Sequence, residues 1–248
     1  MSWRLIRFEK RSAALNMAID EAIAEGVANG TSPPTVRFYG WAPSAVSIGR
    51  FQAVRDEVDL EQCRAQGVDV VRRRTGGGAV FHNEMGEVTY SVIAPESMLP
   101  KDIGASYRLI CGWIVSGLHQ LGVESEFAPI NDVVVGGKKI SGSAQTRWSG
   151  VVLQHGTLLL KLDLDRMFVL LRVPDSKTRT KGIASARERV TSLDRHSNAG
   201  IDKVLAALES AFCGDLVHEV GTLSAEELNA ARRKAVERYR ADSWTFER

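Results

Sequence analysis

The chain has 248 residues, of which 44% are apolar and 25% charged, and a formal net charge of +2 at pH 7. It is long enough to bury a substantial core without staples, and its composition is that of an ordinary globular protein. The near-neutral balance gives no global basic field for nucleic acid, the widely spaced Cys63, Cys111 and Cys213 give neither a disulfide framework nor a zinc spacing, and no apolar run reaches membrane-spanning length.

Met1 to Arg7 lacks the apolar core of a signal peptide, so a reducing cytoplasm is the expected compartment. Trp3 to Phe8 reads as a strand. Ser12 is positioned to cap a helix to about Ala28, with Leu15, Ile19, Ala22 and Ile23 on one face. Asn16 and Asp20, one turn apart on that helix, are expected at its surface. Gly30 and Pro33-Pro34 end the segment. Thr35 to Trp41 and Ala45 to Arg50 are expected to pair around a turn at Pro43, with Trp41 and Phe51 in the core. A short helix over Val58 to Ala65 breaks at Gly67 before a strand from Val68 to Arg72, and Glu87 to Ile93 is β-rich.

Ser106 to Leu121 reads as a helix burying Leu109, Ile110, Trp113, Ile114 and Leu118, followed by a strand from Glu124 to Phe127. Gly136-Gly137 between apolar runs predicts a hairpin. Val151 to Leu162 is a further strand carrying His155-Gly156-Thr157. Beyond Pro174 the chain is polar and basic to Arg195, which predicts a loop that moves or folds over a site. Ile201, Val204, Leu205, Leu208, Ala211 and Phe212 mark an amphipathic helix closed by Gly214. Ser224 and Glu227 have capping-box spacing for a last helix to about Arg238, and Trp244 and Phe246 are expected to dock the C-terminus. Strands in consecutive groups, with helices between the groups, predict an α+β fold of mixed or antiparallel sheets flanked by helices.

The most informative stretch is Arg72-Arg73-Arg74-Thr75-Gly76-Gly77-Gly78-Ala79-Val80-Phe81-His82-Asn83. Glycines let backbone N–H groups approach a ligand, and arginines offer planar donor forks. The loop predicts an anion site for a nucleotide phosphate; a tight turn with exposed arginines is the plainer alternative. Neither a Walker loop nor a GxGxxG fingerprint occurs. Three further pieces, Asn131-Asp132, Lys138 to Gly142 and His155 to Thr157, are weak signals one by one.

Together these pieces resemble the lipoate–protein ligase family. The match rests on RRRTGGGAVFH (72–82), ND followed by VVVGGKKISGSAQTR (131–147), HGTLLL (155–160) and KGIASARERVTSL (181–193), and it covers nearly the whole chain. It implies the fold of the biotin and lipoate ligase catalytic modules, a single catalytic domain over 1–248, and activation of lipoate by ATP and Mg2+ to lipoyl-AMP before transfer to a lysine. The acceptor is a lipoyl-accepting domain: an E2 subunit, a glycine-cleavage H protein or a related carrier. Lys139 matches the family's central lysine and is the expected catalytic residue, set between the lipoate carboxylate and the α-phosphate. The resemblance implies ATP or adenylate contacts from Arg73, Arg74, Gly77, Gly78, Ala79, Val80, Phe81, Asn131, Asp132 and Lys139. Lipoate contacts fall to Arg73, Thr75, Gly76, His82, Lys139, Gly142, His155, Gly156 and Thr157, and Mg2+ to Asp132.

Two departures qualify the resemblance. Larger members carry a C-terminal accessory domain, whereas this chain ends where the large domain would, as in bipartite members; a separate small accessory subunit is therefore expected. Octanoyltransferases of the same fold use a cysteine nucleophile and no ATP, but neither Phe127 to Asp132 nor Val151 to Gly156 contains a cysteine. Acyl transfer from an acyl carrier is the alternative reading, and a non-catalytic carrier-binding module the third.

Overall fold

The computed structural model describes residues 2–172, 184–185 and 187–248. The loop expected beyond Pro174 lies largely outside the described residues. In chain order the strands are β1 (Trp3–Arg11), β2 (Thr35–Trp41), β3 (Ala45–Ile48), β4 (Asp69–Arg72), β5 (Val80–His82) and β6 (Glu87–Pro95). They continue with β7 (Glu126–Ala128), β8 (Asp132–Val135), β9 (Lys138–Trp148), β10 (Val151–Leu159) and β11 (His218–Gly221). Eight form one sheet in the order β11-β1-β2-β6-β10-β9-β8-β7, and β4-β3-β5 form a second. β1 runs parallel to β2 and β11, and β3 parallel to β4; the other described pairings are antiparallel. The α+β fold with mixed sheets follows.

Both faces of the large sheet are covered, so side chains of alternate residues enter two different cores. Val88, Tyr90 and Val92 of β6 join Val36 and Phe38 of β2 under α4 (Ile103–Gln120) and α6 (Ile201–Cys213). Ile93 of β6 and Leu153 of β10 face α1 (Ala13–Ala28) and α7 (Ala225–Lys234). The Ser224–Glu227 capping box is present, and α7 passes into a π turn over Ala235–Tyr239. Gly136 and Gly137 form the hairpin turn with φ of 55° and 74°, which glycine adopts without strain. Among the described residues no helix is long and apolar enough to cross a membrane.

Four expectations need correction. β2 and β3 do not pair: beyond Pro43 the chain leaves the large sheet, and β3 inserts between β4 and β5 instead. Asn16 and Asp20 are buried, at 0% and 1% exposure, because Arg37 of β2 lies beneath α1 and needs their oxygens. Phe51 and Leu109 are exposed rather than core. The helix expected from Val58 starts at Leu60, capped by the Asp59 carboxylate, which accepts from the Gln62 amide.

Phe212 is the centre of the α4–α6 core, with ring centroids 5.3 Å from Phe38, 5.1 Å from Tyr90 and 5.4 Å from Trp113. Phe212→Ala is expected to remove about 3–5 kcal/mol of stability through the cavity it leaves, read as a fall in the urea midpoint.

Candidate active site

A cavity of about 420 Å³ opens between α1, the middle of the large sheet and the small sheet. Its wall is apolar where Met17, Trp41, Leu159 and Met167 line it. Of the residues singled out in the sequence, Arg73, Gly77, Gly78, Ala79, Val80, Phe81 and His82 line it from the glycine loop and β5. Asn131, Lys139, Gly142, His155, Gly156 and Thr157 line it from the large sheet. Arg74, Thr75, Gly76 and Asp132 stand behind that surface rather than on it.

Lys139 is the second residue of β9, just after the glycine hairpin. Its Nζ is 2.8 Å from Asp132 Oδ1, an ion pair rather than an aligned hydrogen bond. A Cβ at Gly142 would fall 2.5 Å from Lys139 Cε and 2.6 Å from Nζ, so the absence of a side chain there gives the lysine its place. Asn131 donates to the Ser143 carbonyl and accepts from the Ser143 amide, which ties the chain ahead of β8 to β9. Asp132, where magnesium was expected, is taken up by Lys139. Among the described residues no three His, Cys, Asp or Glu side chains are grouped to hold a metal.

Arg73 is buried, and burial pulls its guanidinium down to about 10. Nε donates to Thr75 Oγ1 at 3.1 Å, and NH1 to the Ser47 carbonyl and Ser47 Oγ, both at 3.1 Å. NH2 donates to the carbonyls of Gly76 at 2.9 Å and Gly78 at 2.8 Å. A guanidinium has five N–H groups, so Arg73 has none left for a phosphate. Arg74 donates to Glu21 at 2.9 Å and lies over the Trp148 ring, off the cavity wall. Arg72 is fully buried against the C-terminus, donating to the carbonyls of Trp244 and Thr245. The phosphate fork expected of Arg73 is thus corrected: its donors are used to fold the loop. Gly49 permits this fold, since a Cβ there would lie 2.0 Å from the Gly77 carbonyl oxygen.

Two further chains run from Arg73. The Ser47 hydroxyl accepts from Arg73 and keeps its own proton for a partner, with His82 Nε2 2.8 Å away. His82 Nδ1 is 2.7 Å from Glu87 Oε1. Glu87 also accepts from Thr89, whose hydroxyl accepts from Trp41 Nε1, and the Trp41 ring stacks on His82 at 3.9 Å. On the other side of Arg73, the Thr75 hydroxyl is hydrogen-bonded to His155 Nε2 at 2.7 Å, and His155 Nδ1 faces Asp20 Oδ2 at 3.6 Å. Burial lowers the His155 pKa. Burial pushes Asp20 up, but the His155 ring and the Arg37 guanidinium outweigh it and hold the carboxyl below its ordinary value.

Ser47, Glu87 and Asp20 escaped the sequence reading. The signal available was polarity in the wrong place: a serine inside Val46-Ser47-Ile48, a glutamate opening an apolar strand, an aspartate on an apolar helix. The three cysteines lie outside the cavity wall, in the two packed cores of the α4–α6 layer and the small sheet, and burial pushes each thiol up to about 11.

The model of the lipoyl protein ligase A/B catalytic domain matches residues 12–213. Octanoyltransferase LipM of Kyrpidia tusciae is 40% identical over 273 aligned residues, covering 99% of this chain and 98% of that protein. Among solved structures, a bi-partite lipoate protein ligase of Thermoplasma acidophilum, described with its E2 lipoyl domain, is 32% identical with a TM-score of 0.90, covering 99% of this chain and 96% of that one. A lipoate-protein ligase A bound with ATP is 30% identical with a TM-score of 0.84, covering 99% of each chain. The whole-length relatives named octanoyltransferases overturn the expectation of an ATP-dependent lipoate–protein ligase and support the acyl-transfer alternative.

Two outcomes follow from this geometry. Gly142→Ala displaces the Lys139 ammonium and is expected to leave the thermal midpoint within a few degrees, measured by calorimetry. Asp20→Asn leaves Arg37 buried without its counter-charge and costs about 3–5 kcal/mol in urea unfolding at neutral pH. Because the folded-state pKa of Asp20 lies below its unfolded value, its contribution is complete above the carboxylate range and lost as pH falls through the folded pKa. The variant's urea midpoint therefore falls less than that of the wild type on acidification below about pH 4.

Proposed function

Since this chain belongs to the lipoyl protein ligase A/B catalytic-domain family, we propose that it transfers an octanoyl or lipoyl group from an acyl-carrier thioester to the ε-amine of a lysine on a lipoyl-accepting domain. The observation that carries this reading is a largely apolar cavity with the Lys139 ammonium on its wall, in a chain alignable end to end with octanoyltransferases. An apolar channel takes an eight-carbon chain out of water, at roughly 25 cal/mol per Å² of surface buried. A cation at the reacting end stabilises the negative charge that develops on the carbonyl oxygen as the tetrahedral intermediate forms.

Lys139 is the group assigned to that oxygen. Asp132 holds it in place and Gly142 leaves it room. The same positive charge lowers the pKa of an incoming lysine and favours its nucleophilic, neutral form. His155 and Thr157, like Phe81 and Trp41, line this cavity. The acceptor is a lipoyl domain of the E2 type or a glycine-cleavage H protein, the former suggested by the E2 lipoyl domain described with the Thermoplasma acidophilum relative. The transfer reading has no adenylation step for an accessory subunit to support.

The test is mass spectrometry of a lipoyl domain incubated with this chain and the octanoyl thioester of an acyl carrier protein, with no nucleotide present. An octanoylated acceptor lysine is expected, and Lys139→Ala is expected to lower the rate about 1,000-fold. An acceptor that stays unmodified without ATP, yet is modified with ATP and free acid, overturns the reading.

A further inference from the structure

Transfer out of a thioester proceeds through an acyl-enzyme or by direct attack, and the cavity holds no thiol among the residues that line it. It does hold a carboxylate–imidazole–hydroxyl chain. Building on the transfer function above, we propose that Ser47 is the nucleophile, activated by His82 and Glu87, and that the reaction passes through an octanoyl ester on the Ser47 hydroxyl.

Three observations converge on Ser47. Its Oγ is 2.8 Å from His82 Nε2, and His82 Nδ1 is 2.7 Å from Glu87 Oε1, the spacing of a nucleophile, a base and the group that orients the base. The Arg73 donation at 3.1 Å occupies a lone pair of the serine oxygen and places positive charge beside it, which favours its alkoxide character. Trp41, stacked on the ring, and Thr89, donating to Glu87, hold the imidazole in that orientation. The parallel chain Asp20–His155–Thr75 is excluded as the nucleophilic one by its position: Ser47 and His82 line the cavity, whereas Thr75 is fully buried behind it.

The chemistry balances without any co-reactant. Ser47 Oγ attacks the thioester carbonyl as His82 Nε2 takes its proton; the C–O bond forms, the C–S bond breaks, and the thiolate leaves with the proton from His82. The neutral amine of the acceptor lysine then attacks the ester. The C–N bond forms, the C–O bond breaks, and His82 returns the amine proton to Ser47 Oγ. Lys139 lines the same cavity. Glu87 acts through His82 and is a positioning residue.

The full chain is mixed with the octanoyl thioester of an acyl carrier protein, quenched, and analysed by intact mass and peptide mapping, alongside transfer to a lipoyl domain. The wild type is expected to carry one octanoyl group on Ser47 in an ester stable to mild neutral hydroxylamine. Ser47→Ala is expected to lose the adduct and at least about 1,000-fold in transfer rate. Ser47→Cys is expected to restore a covalent adduct that neutral hydroxylamine removes, which controls for misfolding. His82→Gln is expected to lower kcat at least about 100-fold with KM for the acyl thioester kept within a few fold, a split that a merely structural histidine would not produce. Transfer by Ser47→Ala within tenfold of wild type, or an adduct mapped to a cysteine, overturns the serine assignment and leaves the transfer function standing. A wild type that transfers nothing from the thioester overturns both.

Discussion

Arg73 organises the site. A guanidinium buried in protein must place its N–H groups on acceptors, because each one left unpaired carries a desolvation penalty of about 1–3 kcal/mol or more. Arg73 meets that demand with oxygens of Ser47, Thr75, Gly76 and Gly78, so the glycine loop wraps the arginine rather than a ligand. Glycines are needed because the loop turns its carbonyls inward over a short span, with Gly77 at a φ of 96°. This one side chain joins two hydroxyls, and through them two histidines, into one network.

The surrounding helices and the C-terminus keep that arrangement in place. Adjacent residues of α1 serve opposite sides: Asp20 turns toward Arg37, Tyr39 and Ser91 on the sheet, and Glu21 toward Arg74, Lys234, Arg238 and Tyr239. Burial pushes Glu21 up, but the Tyr239 hydroxyl and the surrounding cations bring its carboxyl below the ordinary value. A carboxylate so buried is tolerated only with such company. The π turn and α8 (Asp242–Thr245) thereby fasten the arginine run: Arg238 reaches Glu21, and Trp244 donates to the Arg72 carbonyl while accepting from Arg72 at its own. The C-terminal segment is thus part of the site's support although it touches none of the cavity.

Much of the fold was legible in the chain because periodicity reports burial. The helix at 201–213, the capping box at Ser224 and the hairpin at Gly136-Gly137 are local features, each determined by residues a few positions apart. The pairing of β3 was not legible, since four buried residues carry no label for the sheet they join. Nor was the exposure of Phe51 legible, because an aromatic residue beside a turn is indistinguishable in sequence from one beneath a helix.

For the site, the sequence by itself determined the membership: the triple glycine, the lysine hairpin and the His-Gly-Thr strand, in that order, specify one family and bring Lys139 to one cavity. Only the tertiary structure decided what the arginines do and which polar residues face one another. Ser47 and His82 are 35 positions apart, and Thr75 and His155 are 80 apart; both meetings depend on β3 entering the small sheet and on Arg73 lying between them. A sequence records that arginines and glycines are present. Whether a guanidinium serves a ligand or the protein's own carbonyls depends on which acceptors lie within about 3 Å of it, and long-range packing alone sets that.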